Sequence, residues 1–228
     1  MKQRLFIAMA LCLAFITAQA EQVVVQTKST SLVLDVTKGQ QPKYIYFGQR
    51  LSAQELQHLQ QPVNGRMEAY PAYGLNTPAE AALAVRHADG NMSTALVCDY
   101  YEQGEVVDEG NFVTCITLKD PVYPFTVELK YKAYFQEDVI EAWAEMTNGE
   151  KQTVTLTQFA SGVLPIRRGN VWVSHLYGSW ANEGRVEQEP LKQGIMMITN
   201  HDGARNSHTD HAEVMFSLDG QPQELSGD

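Results

Sequence analysis

Positive charge is what this chain has least of for its size. It carries 17 Lys and Arg against 27 Asp and Glu, a formal net charge of −10. A nucleic-acid partner needs a basic footprint on its phosphates, so this balance argues against one. Long apolar runs are scarce too. The one from Leu5 to Ile16 is shorter than the roughly 20 residues a membrane span requires. It follows Lys2 and Arg4 and precedes the small-x-small triplet Ala18-Gln19-Ala20, the three parts of an export leader. The bulky Leu11 before Cys12 speaks against a lipid anchor there. The expected product is exported, periplasmic or secreted, begins at Glu21 and has no membrane attachment after cleavage. Without the leader it is two charges more negative. Nucleophile motifs are missing as well: Ser161-Gly162 is not a Gly-x-Ser-x-Gly elbow, and no glycine-rich phosphate loop precedes a helix.

Alternation fills the space those absences leave. Ala82 to His87 leads into Ala88-Asp89-Gly90-Asn91, an Asp-Gly turn sequence. Thr94 to Tyr101 and Phe112 to Lys119 read as strands joined by an acidic loop from Gly104 to Gly110. Phe125 to Phe135 alternates well after Pro121 and Pro124. Ile140, Ala142, Ala144 and Met146 share a face, and Asn148-Gly149 supplies a hairpin turn before Val154 to Phe159. Further strands are expected at Val171 to His175, Ile195 to Thr199 and Val214 to Leu218. One helix interrupts them: Ser52 and Glu55 make a capping box, Leu51 and Leu56 are placed as a hydrophobic staple, and the helix ends before Pro62. The expected fold is all-β, a sandwich of many mostly antiparallel strands with one short helix near residues 52–60. After the leader, Glu21 to Asp228 is long enough for one such domain with a sizeable core.

Cys98 and Cys115 fall opposite each other if the turn between their strands is centred near Val106 and Val107. A disulfide in an oxidising compartment and two separate buried thiols fit the sequence equally. Neither is a catalytic signal, and two cysteines at this spacing make a poor zinc site.

The segment Leu176-Tyr177-Gly178-Ser179-Trp180-Ala181, with Arg185 and Pro190 following, places a tryptophan directly after a Gly-Ser turn. A buried strand has no need of that arrangement, whereas an indole is a flat apolar plate with one N–H, suited to stacking on a pyranose. The segment resembles the Gly-x-Trp-Ala…Arg…Pro-Leu signature in the N-terminal domain of glycoside hydrolase family 36, the retaining α-galactosidases. Five other segments match that family in order: Tyr70-Pro71-Ala72-Tyr73-Gly74, Ala84 to Gly90, Thr117 to Pro121, Asp138-Val139-Ile140, and Gly203-Ala204-Arg205 with His208. The resemblance as a whole covers roughly Val33 to Leu218.

What the resemblance implies is an N-terminal β-supersandwich that precedes a (β/α)₈ barrel and a C-terminal β-domain, with both catalytic aspartates on the barrel. Retaining hydrolysis needs two carboxyl groups about 5–5.5 Å apart across the scissile bond, and no strand–helix alternation capable of building a barrel occurs in this sequence. No residue here is therefore expected to be catalytic. Trp180 is the one substrate-contact residue carried over, since the family's matching tryptophan reaches the galactose site where domain and barrel meet. The resemblance also implies a further strand pair after Asp228, so the domain is expected to be incomplete here and, taken by itself, to leave Trp180 partly exposed and without function. The implied partners are a terminal α-galactoside of an oligosaccharide, the barrel, and other copies in a homo-oligomer. Some relatives send an Asp and an Arg into a neighbouring active site from the loop before Tyr70. Here that loop, Gln60 to Glu68, offers only Arg66 at an offset that does not match.

Other candidates reduce to structure. Trp143 and Trp172 are expected to pack in the core or on a sheet surface, and Tyr70 and Tyr73 to form a packing corner. His201-Asp202 and His208 to His211 invite a metal, but ligands at this spacing on a strand or loop do not converge, so no metal and no cofactor is expected. Solvation is the expected role of Asp108-Glu109 in its turn. A free-standing exported carbohydrate-binding β-domain is the alternative function, because a sandwich hosts many.

Overall fold

The structure, a computed structural model, describes residues 21–59, 67–74, 80–108, 111–166, 170–203, 209–218 and 220–222, with backbone alone for 105–108. The expectations for the leader, Arg66, Glu109, Ala204, Arg205 and His208 lie outside that set. The chain divides into two compact units at Pro165 and Ile166. No helix among the described residues is long and apolar enough to cross a membrane.

The first unit starts with β1 (Gln22–Gln26), β2 (Thr30–Asp35) and β3 (Lys43–Gln49), an antiparallel meander in that order. Helix α1 (Ala53–Gln57) follows. Its capping box is complete: the Ser52 side chain accepts from the Glu55 N–H while the Glu55 carboxylate accepts from the Ser52 N–H at 2.8 Å. After β4 (Leu83–Arg86) come β5 (Val97–Asp108), β6 (Asn111–Lys119), β7 (Phe125–Tyr134) and β8 (Val139–Asn148), a four-stranded antiparallel sheet in chain order. Along β7 buried and half-buried residues alternate without a break, the pattern of a strand with one face on a core. Phe125, Val127, Leu129, Tyr131 and Ala133 point inward and share one cluster with Val23, Val25, Leu32 and Leu34 of the meander. Two sheets with their apolar faces together make the all-β sandwich that the alternation predicts.

Strand partners are where the sequence misleads. Asn148-Gly149 does not turn a hairpin: β9 (Thr155–Phe159) pairs with β4, and β8 ends the larger sheet. Gly149 instead donates to Pro124 O at 2.7 Å, and a Cβ at Gly149 would lie 2.8 Å from that same oxygen. A close backbone approach is what this glycine serves. The Asp89-Gly90 turn does form, with His87 N bonded to Asn91 O, but no strand returns alongside β4. The donors that a returning strand would use are taken, Thr94 N by Tyr73 O and Ala95 N by the Asp120 carboxylate. The expected loop at 104–108 is strand, since β5 and β6 stay paired out to Asp108 and Asn111. The hairpin closes there, beyond the centre expected near Val106 and Val107, so that Cys98 faces Leu118 and Cys115 faces Glu102. Both thiols are free.

The second unit holds β10 (Trp172–Tyr177), β11 (Arg185–Pro190) and β12 (Asp210–Ser217), with β10 in the middle and antiparallel to both. The sequence reading finds β10 and the second half of β12 but not β11, whose Arg185-Val186-Glu187-Gln188-Glu189-Pro190 carries a single apolar side chain before its proline. Ile195 to Thr199, expected as a strand, is irregular.

Candidate functional site

Gly178 to Gly184 links β10 to β11. Gly178 N–H donates to Thr209 O, which ties the end of β10 to the segment before β12. Ser179 to Asn182 then closes a β-turn, with Asn182 N–H on Ser179 O at 2.9 Å. Trp180 sits second in that turn and Ala181 third, and Ala181 has φ of 59°. Glycine is the usual residue there, since a Cβ at positive φ costs roughly 1–2 kcal/mol. The Glu183 carboxylate accepts from Ala181 N–H at 3.1 Å and holds the strained residue. The product is an indole directed into solvent, 81 % exposed. A tryptophan left so open contributes little to the fold of its own unit.

The strand behind the turn carries a second unusual group. His175 is buried on β10, with Nε2 3.6 Å from Glu187 on β11 and Nδ1 3.8 Å from Asp210 on β12. Both separations exceed hydrogen-bond length, and Nδ1 has no hydrogen-bond partner among the described residues. His211 lies 3.5 Å from Glu213. Among the described residues, no three His, Cys, Asp or Glu side chains are placed to hold a metal ion.

The other sequence candidates are placed in packing. Tyr70 is buried, its hydroxyl donating to Ala160 O at 2.7 Å, and burial pushes its pKa up to about 12. Tyr73 is half exposed. Trp143 lies half-buried on β8, its indole N–H donating to Glu145, and Trp172 is half-buried on β10. The turn that carries Trp180 thus offers one chemistry, stacking, and Glu183, the carboxylate bonded to it, is committed to the turn's own backbone.

Sequence reading missed a polar node under the Asp89-Gly90 turn. His87, which it saw only as the end of a strand, is fully buried and bonded to both Glu150 and Thr94. It missed the Asp138 node as well. Asp138 takes φ of 61°, and its carboxylate accepts from Thr27 Oγ1, Ser29 Oγ and Ser29 N–H, joining the β7–β8 turn to the β1–β2 turn. Those hydrogen bonds, the Ser29 hydroxyl's first, lower its pKa to about 2. The available signal was Gln136-Glu137-Asp138 between alternating strands, where an Asp tolerates a left-handed turn.

Sandwich sheets, followed along the chain by a strained, tryptophan-bearing turn, define an all-β domain. The family model for the glycosyl hydrolase family 36 N-terminal domain matches residues 40–228, and the chain belongs to that family. Solved structures of the same fold include the α-galactosidase from Lactobacillus brevis, at 21% identity, with a TM-score of 0.75 over 88% of this chain and 31% of that one. A variant of the family 36 α-galactosidase AgaA from Geobacillus stearothermophilus, in complex with raffinose, matches at 20% identity and a TM-score of 0.73 over 85% of this chain and 31% of that one. The galactosidase domain of the α-galactosidase–sucrose kinase AgaSK matches at 21% identity and a TM-score of 0.73, covering 86% and 31%. The chain therefore spans about a third of the length of these proteins. No curated protein sequence matches it.

Proposed function

We propose that this chain is the N-terminal β-domain of an exported, retaining α-galactosidase that removes terminal α-linked galactose from oligosaccharides. In this reading the domain supports a catalytic barrel, which supplies both carboxylates, and presents Trp180 to the edge of the sugar site. The observation that carries it is the family match over residues 40–228 together with an indole held almost bare on a strained turn. A side chain shaped to stack, kept open at about 1–2 kcal/mol of backbone strain, fits a surface that something else completes. The leader sequence supports export, and the absence of a strand–helix barrel pattern supports a non-catalytic role for these residues.

Hydrolysis of a chromogenic α-galactoside by the purified chain tests the division of labour. No turnover is expected, and turnover lost with Trp180→Ala would place a catalytic pair in this domain and refute the reading. In a polypeptide that also carries the barrel, Trp180→Ala is expected to lower kcat/KM for an α-galactoside. Tight galactose binding by the chain alone would instead favour a free-standing carbohydrate-binding domain.

A further inference from the structure

A groove of about 320 Å³ opens in the first unit, where β3 and β8, each the last strand of its sheet, line the same gap. Leu32, Phe47, Ile140, Ala142, Val163 and Leu164 make its walls. Phe47 and Leu164 are about half exposed, whereas Tyr44 and Tyr131, which also line it, are buried. Their hydroxyls lie 3.3 Å apart. Each phenol has one proton to give, and a single shared bond can use only one of the two. Among the described residues neither hydroxyl has another hydrogen-bond partner. One buried O–H donor in an apolar groove is therefore left without an acceptor, an arrangement that native interiors rarely leave uncompensated. Burial pushes both phenols above their ordinary pKa, Tyr131 well above, so both remain donors at neutral pH.

We propose that this groove is a binding site for a small neutral amphiphile, an apolar body carrying one oxygen acceptor that takes the free phenolic proton. The volume is at the lower end of the range for small-molecule sites, and apolar walls with few polar groups are their usual lining. Charge is excluded by those walls, and an anion also by the Asp138 carboxylate that lines the groove. A sugar is excluded because one spare donor cannot satisfy a ring of hydroxyls. The site is therefore independent of the galactoside reading, and its ligand has the opposite character.

The test is a titration of the full chain with prodan, a neutral naphthalene ketone whose emission reports both burial and hydrogen bonding. Saturable one-to-one binding with a blue shift is expected. Tyr44→Phe combined with Tyr131→Phe should weaken it about tenfold, the worth of one hydrogen bond. The naphthylamine that lacks the ketone should bind both proteins alike. Ala142→Phe, which places a ring in the groove, should abolish prodan binding, and Gly162→Leu, whose Cβ would lie 3.9 Å from that of Ala142, serves if that variant does not fold. Prodan affinity indifferent to the two phenols overturns the proposal, as does the absence of saturable binding. Binding that emerges only when dilution dissociates a dimer would make a second copy the occupant and equally overturn it.

Discussion

Replacing His87 by alanine is the sharpest test of how the first unit is held together. The imidazole side chain is fully buried, and the Glu150 side chain beside it is 9% exposed. Nδ1 is 2.7 Å from Glu150 Oε1 and Nε2 is 3.0 Å from Thr94 Oγ1. The ring lies flat on Tyr123, centroids 3.6 Å apart at 8°, with Phe125 edge-on at 6.2 Å. Glu150 Oε2 also accepts from Ala88 N–H, so the carboxylate stitches the 87–91 turn to the segment after β8. Alanine would remove a hydrogen bond to a carboxylate, worth about 1.5–3 kcal/mol, and strand the buried Thr94 hydroxyl at about 1–3 kcal/mol. Tyr123 would lose its stacked face as well. Since effects in one network do not add fully, the expected loss is about 3–5 kcal/mol, the range for stripping one partner from a buried pair. That corresponds to roughly 10 °C in melting temperature. Urea unfolding followed by circular dichroism measures it, with the exposed neighbour Arg86→Ala as control. His87→Phe separates the terms, since it keeps a stacked ring and loses only the hydrogen bonds. A loss below about 1 kcal/mol for His87→Ala, with an unchanged urea slope, would refute the account of this node.

Three further outcomes follow from the same geometry. Ala181→Gly should stabilise the second unit by about 0.5–1 kcal/mol, because relief of a positive-φ Cβ exceeds the added chain entropy; a destabilised variant in thermal melts would show that the turn is wrongly described. Asp138, held at a pKa of about 2 against an ordinary 3.8, contributes stability that is fully present above the ordinary value and lost as pH falls through the lower one. Wild type should therefore lose more stability than Asp138→Asn between about pH 4 and pH 2, and parallel acid limbs for the two proteins would sink the assignment. The Cys98 thiol, pushed up to about 12 by burial first and by the Asp35 charge second, should resist a thiol reagent until the chain unfolds. Cys115, also raised mainly by burial but only partly enclosed, should react first when sites are mapped by mass spectrometry.

Side-chain pattern by itself determined much of this protein. The period-two run from Phe125 to Tyr134 names both faces of β7, because alternate residues must point to opposite sides of a pleated strand. Ser52 and Glu55 set the start of α1, because a capping box is closed within four residues. Gly178-Ser179-Trp180 marked an indole set on a turn, and it lies there almost bare. Tertiary structure decided which strands meet. Asn148-Gly149 is a good hairpin signal, yet Gly149 is taken by Pro124 and Glu150 by His87, so β9 crosses to β4. The equal spacing of Cys98 and Cys115 about a turn near Val106 and Val107 failed because β5 and β6 stay paired out to Asp108 and Asn111, which places the turn further along the chain. Facing is a local property, fixed by the geometry of each residue and its neighbours. Partnership is a contact between distant segments, won by whichever arrangement buries the apolar faces while leaving the fewest backbone groups unpaired. The groove between β3 and β8, with its spare phenolic proton, arises at that second level, where Tyr44 and Tyr131 meet across 87 positions of sequence.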